Sequence, residues 1–188
     1  HNINFVTPEH VVPQLLEALP PAIEGGLRLP IVYNTSAFDS TESLRQMEGI
    51  VDIYMPDFKY WRDDQARRFV KTPKYPATAT AAVAEMYRQV GDLQIGSHGL
   101  ATSGVLVRHL VVPAGLGETR EIMRFLAAIS PDMYVNIMGQ YRPAGKVDGA
   151  KYAEINRKVT STEMDEAYIL ARAAGLRRFD ERRQVGIA

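Results

Sequence analysis

The chain alternates between segments with the pattern of a buried strand and segments with the pattern of an amphipathic helix. Because parallel strands need crossover connections, this order predicts a parallel sheet, open or barrel-like, with right-handed connections. Residues 51–56 are apolar at five of six positions, which is typical of a parallel strand covered on both faces. The five predicted strands lie in HNINFVTP, LPIVYNTSAF, GIVDIYMPDFKYW, VLVRHLVVPAG and MYVNIMGQYRPAG.

Helical spacing of apolar residues predicts the connecting helices. The first, in VVPQLLEALPPAIEGGL, should be broken or kinked at Pro20 and Pro21 and end at Gly25 and Gly26. Capping residues in DSTESLRQME predict the start of the second. Further helices are predicted over 77–90, in GETREIMRFLAAI, and in TSTEMDEAYILARAAGL with Thr160 or Ser161 as N-cap and Gly175 as stop; GDLQIGSHGLATSG is predicted to be a hairpin.

Size and charge limit the possible functions. We expect residues 1–188 to form one domain, since 46% of them are hydrophobic and 23% charged. The 22 basic residues balance the 22 acidic ones, so the charge gives no reason to expect nucleic acid or a membrane surface as partner. No apolar run is long enough to cross a bilayer and no signal-peptide pattern is present, which favours a cytoplasmic protein.

Polar residues follow the predicted strands, where the loops of parallel strands converge on one cavity. Arg108 offers a fork for a ligand carboxylate, and Asp57 can hold an ammonium or ribose hydroxyls. These groups suit a zwitterionic or carboxylate-bearing ligand. The polar residues are Thr7 and Glu9; Asn34, Thr35 and Ser36; Asp57 and Lys59; Arg108 and His109; and Gln140, Tyr141 and Arg142.

Each of these residues also has a purely structural interpretation. Asp57 and Lys59 can be a local ion pair, since residues two apart on a strand share a face. Alternation directs only one of Arg108 and His109 inward, and an outward His109 is more consistent with packing than with catalysis. Residues 34–36 can cap the next helix. The sequence contains no glycine-rich phosphate loop, H-E-x-x-H pair or G-x-S-x-G elbow.

Several blocks together resemble the radical S-adenosylmethionine (SAM) proteins related to pyruvate formate-lyase activating enzyme. The similarity extends over essentially all 188 residues. The blocks are HNINFVTPEH, LPIVYNTSAFDS, VDIYMPDFKYW, VRHLVVPAG, YVNIMGQYRPAG and YAEINRKVTSTEMDEAYILARAAGLRR.

The resemblance implies a partial (β/α)6 barrel with a [4Fe–4S] cluster, bound by a C-x-x-x-C-x-x-C motif upstream of HNINFVTP. The chain has no cysteine, so we expect it to be the carboxyl-terminal part of a longer protein, inactive alone and without a metal site. No catalytic residue is assigned. The resemblance places the cofactor-binding positions at Thr7, Asn34, Thr35, Ser36, Asp57, Lys59, Arg108, Tyr141 and Arg142.

For the intact protein, the resemblance implies reductive cleavage of SAM to a 5′-deoxyadenosyl radical. Its partners would be a glycyl radical enzyme or another protein substrate, and a reductant such as flavodoxin or ferredoxin. The uncovered edge of the first strand predicts self-association. Two alternatives stay open: a half-barrel binding module that works with a cysteine-bearing chain, and a barrel aldolase or isomerase using Lys59 as Schiff base or Glu9 as general base.

Overall fold

The computed structural model describes residues 1–180 and contains one seven-stranded sheet. Its main strand order is β1-β2-β3-β5-β6-β7, with parallel pairing throughout, and β4 pairs antiparallel with β5. The sheet does not close, which leaves β1 and β7 at its two ends. The strands are β1 (Ile3–Val6), β2 (Ile31–Thr35), β3 (Ile53–Pro56), β4 (Gln94–Ile95), β5 (Ala101–Leu110), β6 (Tyr134–Met138) and β7 (Arg178–Phe179).

Six α-helices occur within the described residues, and most of them connect consecutive parallel strands. They are α1 (Val12–Glu24), α2 (Thr41–Gln46), α3 (Asp63–Phe69), α4 (Tyr75–Val90), α5 (Leu116–Ile129) and α6 (Ser161–Ala173); short 3-10 turns span Pro8–Val11 and Ala153–Ile155. None of these helices combines the length and the apolar character needed to cross a membrane. The parallel strand order and the helices between the strands confirm the parallel α/β sheet that the sequence predicted.

The two faces of the sheet differ in what covers them. Side chains alternate along a strand, so Tyr33, Tyr54 and Val107 share one face, where they belong to the main core that the helices complete. The opposite face, which we call the inner face, carries the other set of residues. Its buried apolar part is small, and it is built around Val32 and Ile53.

The helix predictions are mostly confirmed, with three differences. The expected break in α1 is wrong: the helix continues through Pro20 and Pro21, which are exposed, so water can bond the carbonyls that the prolines leave without donors. Helix α3 and strand β7 were not predicted, because both are short and lack a clear period. Thr160, not Ser161, is the N-cap of α6, and its side chain accepts a hydrogen bond from the backbone N–H of Glu163.

Candidate functional site

Three of the predicted site residues meet on the inner face. Nε of Arg108 donates to Oδ1 of Asp57 at 2.6 Å, and its Nη2 donates to Oδ1 of Asn34 at 2.9 Å. The side chains of Arg108 and Asp57 are 25% and 23% exposed, so solvent and ligands can still reach them. We call these three residues the Arg108 cluster.

Strand register explains why residues so distant in sequence meet. Asp57 follows β3 directly and pairs with Arg108 of β5 in a parallel bridge, where Phe58 N–H donates to the Arg108 carbonyl at 2.9 Å. Asn34 lies on β2 beside Met55 of β3, two positions before Asp57. All three polar side chains therefore stand on the same face, at the carboxyl end of parallel strands.

Lys59 extends the cluster, and Tyr75 of α4 holds the chain around it. Nζ of Lys59 lies 3.9 Å from Oδ2 of Asp57, which makes this a loose ion pair. The Tyr75 hydroxyl contacts the carbonyls of Asp57 at 2.7 Å and Ser36 at 3.0 Å, and accepts from the N–H of Lys59 at 2.9 Å. Burial raises the pKa of Tyr75, so its hydroxyl stays protonated and joins the ends of β2 and β3.

The Arg108 cluster can bind a group that has both charges. Arg108 uses two of the five N–H donors of a guanidinium for Asp57 and Asn34, so others are left for a carboxylate. Asp57 is held by Arg108 and by Lys59, and its carboxylate can accept from an ammonium. The arrangement thus suits an amino-acid moiety.

The other predicted positions are dispersed. Thr7, exposed and with a left-handed φ of 51°, donates its N–H to the Asn34 carbonyl at 2.6 Å, which places it beside the cluster. Half-buried Tyr141 donates its hydroxyl to the carbonyl of Ile155 at 3.0 Å, and Arg142 is exposed. The bond of the Tyr141 hydroxyl is structural. The cofactor-binding roles expected for Tyr141 and Arg142 stay predictions.

Thr35 lies on the opposite face, because it alternates with Asn34 along β2. It is 3% exposed, and its hydroxyl donates to Oδ2 of Asp39 at 2.6 Å, while the Tyr33 hydroxyl donates to Oδ1 of Asp39 at 3.1 Å. Glu9 lies beside this group, with its Oε2 at 3.4 Å from the Tyr33 hydroxyl. Burial raises the pKa of Asp39 to about 6. Thr35 therefore helps to fix the β2 end rather than to line the inner face.

His109 points away from the Arg108 cluster, as one of the two alternatives from the sequence had it. It is 2% exposed, with Nδ1 at 2.8 Å from the Phe58 carbonyl and Nε2 at 2.9 Å from the Thr119 hydroxyl. A carbonyl only accepts, so Nδ1 carries the proton and Nε2 accepts from Thr119. Burial lowers the pKa of His109, which keeps the ring neutral.

Sequence reasoning missed Asn136 and Tyr75. Asn136 lies on β6 directly beside Arg108 and half-buried on the inner face. Its signal was present in the sequence, because it is the polar residue at the centre of the strand YVNIM. Tyr75 had no comparable signal, since its role depends on how α4 packs against two loops.

The described residues do not supply ligands for a metal cluster. Residues 1–180 contain no group of three or more His, Cys, Asp or Glu side chains that could hold a metal ion, and the full sequence has no cysteine. Protein-bound [4Fe–4S] clusters are held by cysteine thiolates. The side chains of this chain therefore do not fit such a cluster, and its ligands would have to come from outside these 188 residues.

No protein-family model matches the chain. An uncharacterized protein of Methanocaldococcus jannaschii is 30% identical over 172 residues, which are 90% of this chain and 46% of that protein. UDP-glycosyltransferase 79B2 of Arabidopsis thaliana is 34% identical over 119 residues, 57% of this chain and 25% of that protein. The chain thus spans about half the length of the first relative and a quarter of the second.

A solved structure shares the fold. The crystal structure of a domain of pyruvate-formate lyase-activating enzyme from Bacteroides vulgatus matches with a TM-score of 0.65, covering 95% of this chain and 96% of that domain, at 11% sequence identity. The likeness establishes the fold class: a parallel α/β sheet of partial TIM-barrel type that does not close. Since fold alone does not determine function, the chemistry must be argued from the site.

Proposed function

We propose that this chain is the SAM-binding portion of a radical SAM protein related to the pyruvate formate-lyase activating enzymes. The observation that carries the proposal is the Arg108 cluster, at the carboxyl end of parallel strands in a fold shared with a domain of such an enzyme. In this proposal, Arg108 binds the carboxylate of the methionine moiety, and Asp57 accepts from its ammonium group. Asn34 orients the guanidinium of Arg108.

The remaining polar residues of the inner face would contact the rest of the cofactor. Lys59, with its Nζ 3.9 Å from Oδ2 of Asp57, would offer a second cation, while Asn136 offers an amide beside Arg108. In radical SAM proteins a reduced [4Fe–4S] cluster cleaves SAM to methionine and a 5′-deoxyadenosyl radical. No step of that chemistry is assigned to residues of this chain, because it contains no cysteine.

The partners follow from the same proposal. A longer protein of this kind would act on a glycyl radical enzyme or another protein substrate, and would take its electron from a flavodoxin or ferredoxin. The alternative is a half-barrel binding module that works with a cysteine-bearing partner chain. Both share the Arg108 cluster as the ligand site and differ in the origin of the cluster ligands.

The reading frame upstream of His1 separates these two possibilities. An in-frame C-x-x-x-C-x-x-C motif supports the proposal, whereas a start codon without such a motif supports the binding module. The longer polypeptide, reconstituted anaerobically with iron and sulfide and then reduced, should release 5′-deoxyadenosine from SAM. Arg108→Gln should lower that release by at least about tenfold, because it removes a charged contact with the substrate.

A matched variant controls for the loss of an arginine. Arg124 is an exposed residue of α5 that pairs with Glu121 at 3.0 Å, and α5 packs on the main-core face of the sheet, opposite the inner face that carries the Arg108 cluster. Arg124→Gln should leave SAM cleavage unchanged. Equal activity of Arg108→Gln and the unmodified protein would contradict the role proposed for Arg108.

A further inference from the structure

A separate cavity of about 300 Å³ lies where the loop after β3 meets the amino end of α5. None of the three residues of the Arg108 cluster lines it. We call it the α5 cavity and define it by six of its lining residues: Tyr60, Arg62, Arg68, Phe69, Gly115 and Gly117.

The amino end of α5 contributes backbone donors to this cavity. The N–H groups of Glu118 and Thr119 bond to the Gly115 carbonyl at 3.0 and 3.1 Å, whereas those of Leu116 and Gly117 have no backbone acceptor within residues 1–180. A β-carbon at Gly117 would meet no atom within 4 Å, so this backbone is open to a ligand. The α5 helix is 14 residues long, and its dipole favours negative charge at this end.

Tyr60 is the second and independent indication of a ligand. It is 8% exposed and lines the cavity, and its hydroxyl has no hydrogen-bond partner in the described part of the chain. The hydroxyl oxygen is not among the buried polar atoms without a partner, so it opens onto the cavity, where a ligand can accept its hydrogen bond. Burial raises the pKa of Tyr60 to about 12, and it therefore remains a donor at neutral pH. Its ring stacks on Phe69 at 5.7 Å between centroids.

The two carboxylates on the cavity wall, those of Glu118 and Glu154, are both paired with arginines. Both carboxyl oxygens of Glu118 are bonded, one to the N–H groups of Trp61 and Arg62 at 2.7 and 2.9 Å, the other to Nε of Arg62 at 2.7 Å. Glu154 pairs with Arg68 at 2.6 Å. These ion pairs hold both guanidinium groups at the wall, where they retain further N–H donors. These remaining donors lie beside the amino end of α5, where they can bond the oxygens of an anionic ligand.

We infer that the α5 cavity binds the carboxylate or phosphate group of a small molecule. The oxygens of that group accept from Tyr60 and from the N–H group of Gly117, with Arg62 and Arg68 at the rim. The stacked rings of Tyr60 and Phe69 form an apolar wall for the rest of the molecule. A volume of about 300 Å³ is at the lower end of the range for ligand pockets, which sets the ligand's size.

Amide chemical shifts of the 188-residue chain, followed during two separate titrations, test this inference. One probe is inorganic phosphate and the other is benzoate, so the two arms distinguish a phosphate from a carboxylate ligand. We expect the amides of Leu116 and Gly117 to shift and saturate with at least one probe. SAM is absent from both titrations, so their result is independent of the proposed function.

Two variants locate the binding. Tyr60→Phe removes the hydroxyl and keeps the stacked ring, and Arg68→Gln removes one guanidinium; each should raise the dissociation constant about tenfold. Arg124→Gln, an arginine of similar exposure outside the cavity, should leave it unchanged. The amide spectrum of each free variant reports whether it is folded. The inference is wrong if neither probe shifts Leu116 and Gly117, or if Tyr60→Phe binds as tightly as the unmodified chain.

Discussion

Nε of Arg108 lies 2.6 Å from Oδ1 of Asp57, although the two residues are 51 positions apart in the sequence. The contact joins β5 to the end of β3, and Asn34 extends it to β2. One guanidinium thus adds side-chain contacts to the backbone hydrogen bonds that join the carboxyl ends of these three strands. The same group that we propose as the ligand's carboxylate partner also stabilises the sheet.

Arg108→Gln should therefore lower the free energy of unfolding by about 1–3 kcal/mol, because it removes two charge-assisted hydrogen bonds at a partly buried site. Urea unfolding of the variant and the unmodified chain measures the difference. Arg124→Gln, whose ion pair is exposed, should change the free energy by less than about 0.5 kcal/mol. Equal effects of the two substitutions would mean that the Arg108 cluster does not stabilise the sheet.

The contribution of Asp39 to the free energy of unfolding should fall as the pH rises. Its pKa is about 6 in the folded chain and about 3.9 in an unfolded one, so the folded state binds the proton more tightly. The stabilisation is complete below about pH 4 and is lost as the pH rises through about 6, a contribution of about 2–3 kcal/mol. Asp39→Asn should remove this part of the pH dependence, measured by urea unfolding at several pH values between 4 and 7.

His109 should give the free energy of unfolding the opposite dependence on pH. Its pKa is lowered by burial, so the unfolded state takes up the proton first, and stability should fall as the pH drops below about 6.5. His109→Gln should abolish that fall, at a cost of about 1–3 kcal/mol at pH 8 from the altered bonds to Phe58 and Thr119. Subtracting the curve of each variant from that of the unmodified chain separates the contributions of His109 and Asp39. If the free energy of unfolding of His109→Gln still falls below about pH 6.5 as it does in the unmodified chain, the His109 ring is not buried in its neutral form.

Strand β1 predicts self-association of the isolated 188-residue chain. Within the described residues it pairs only with β2, so its other edge presents unpaired backbone groups. We expect a concentration-dependent dimer or larger species by light scattering, with amides 2–6 protected in it. A monodisperse monomer with slow amide exchange at residues 2–6 is the result that would disprove this.

The fold was largely predictable because most of the parallel strands are short, mainly apolar runs and the longer helices have a helical period. Alternation within VRHL also separated Arg108 from His109, since neighbours on a strand face opposite ways. The continuity of α1 through two prolines was not predictable from local rules, because it depends on solvent reaching the released carbonyls.

The candidate site was only partly predictable. Polar residues after strands indicated Asn34, Asp57 and Arg108 correctly as neighbours, but treating residues 34–36 as a unit ignored alternation and placed Thr35 with them. The α5 cavity was not predicted from the sequence. It depends on Tyr60 and the amino end of α5, which are far apart in sequence and carry no motif.

The most direct test of the proposed function is to titrate the 188-residue chain with SAM and with decarboxylated SAM, following the amides of Asn34, Asp57 and Arg108. We expect these amides to shift and saturate with SAM, and we expect both removal of the ligand carboxylate and Arg108→Gln to weaken binding about tenfold or more. The Arg108→Gln variant should also bind the two ligands equally, because the contact between Arg108 and the ligand carboxylate is then already lost. Unshifted amides at millimolar SAM, or a variant that still prefers the carboxylated ligand, would contradict the proposed function.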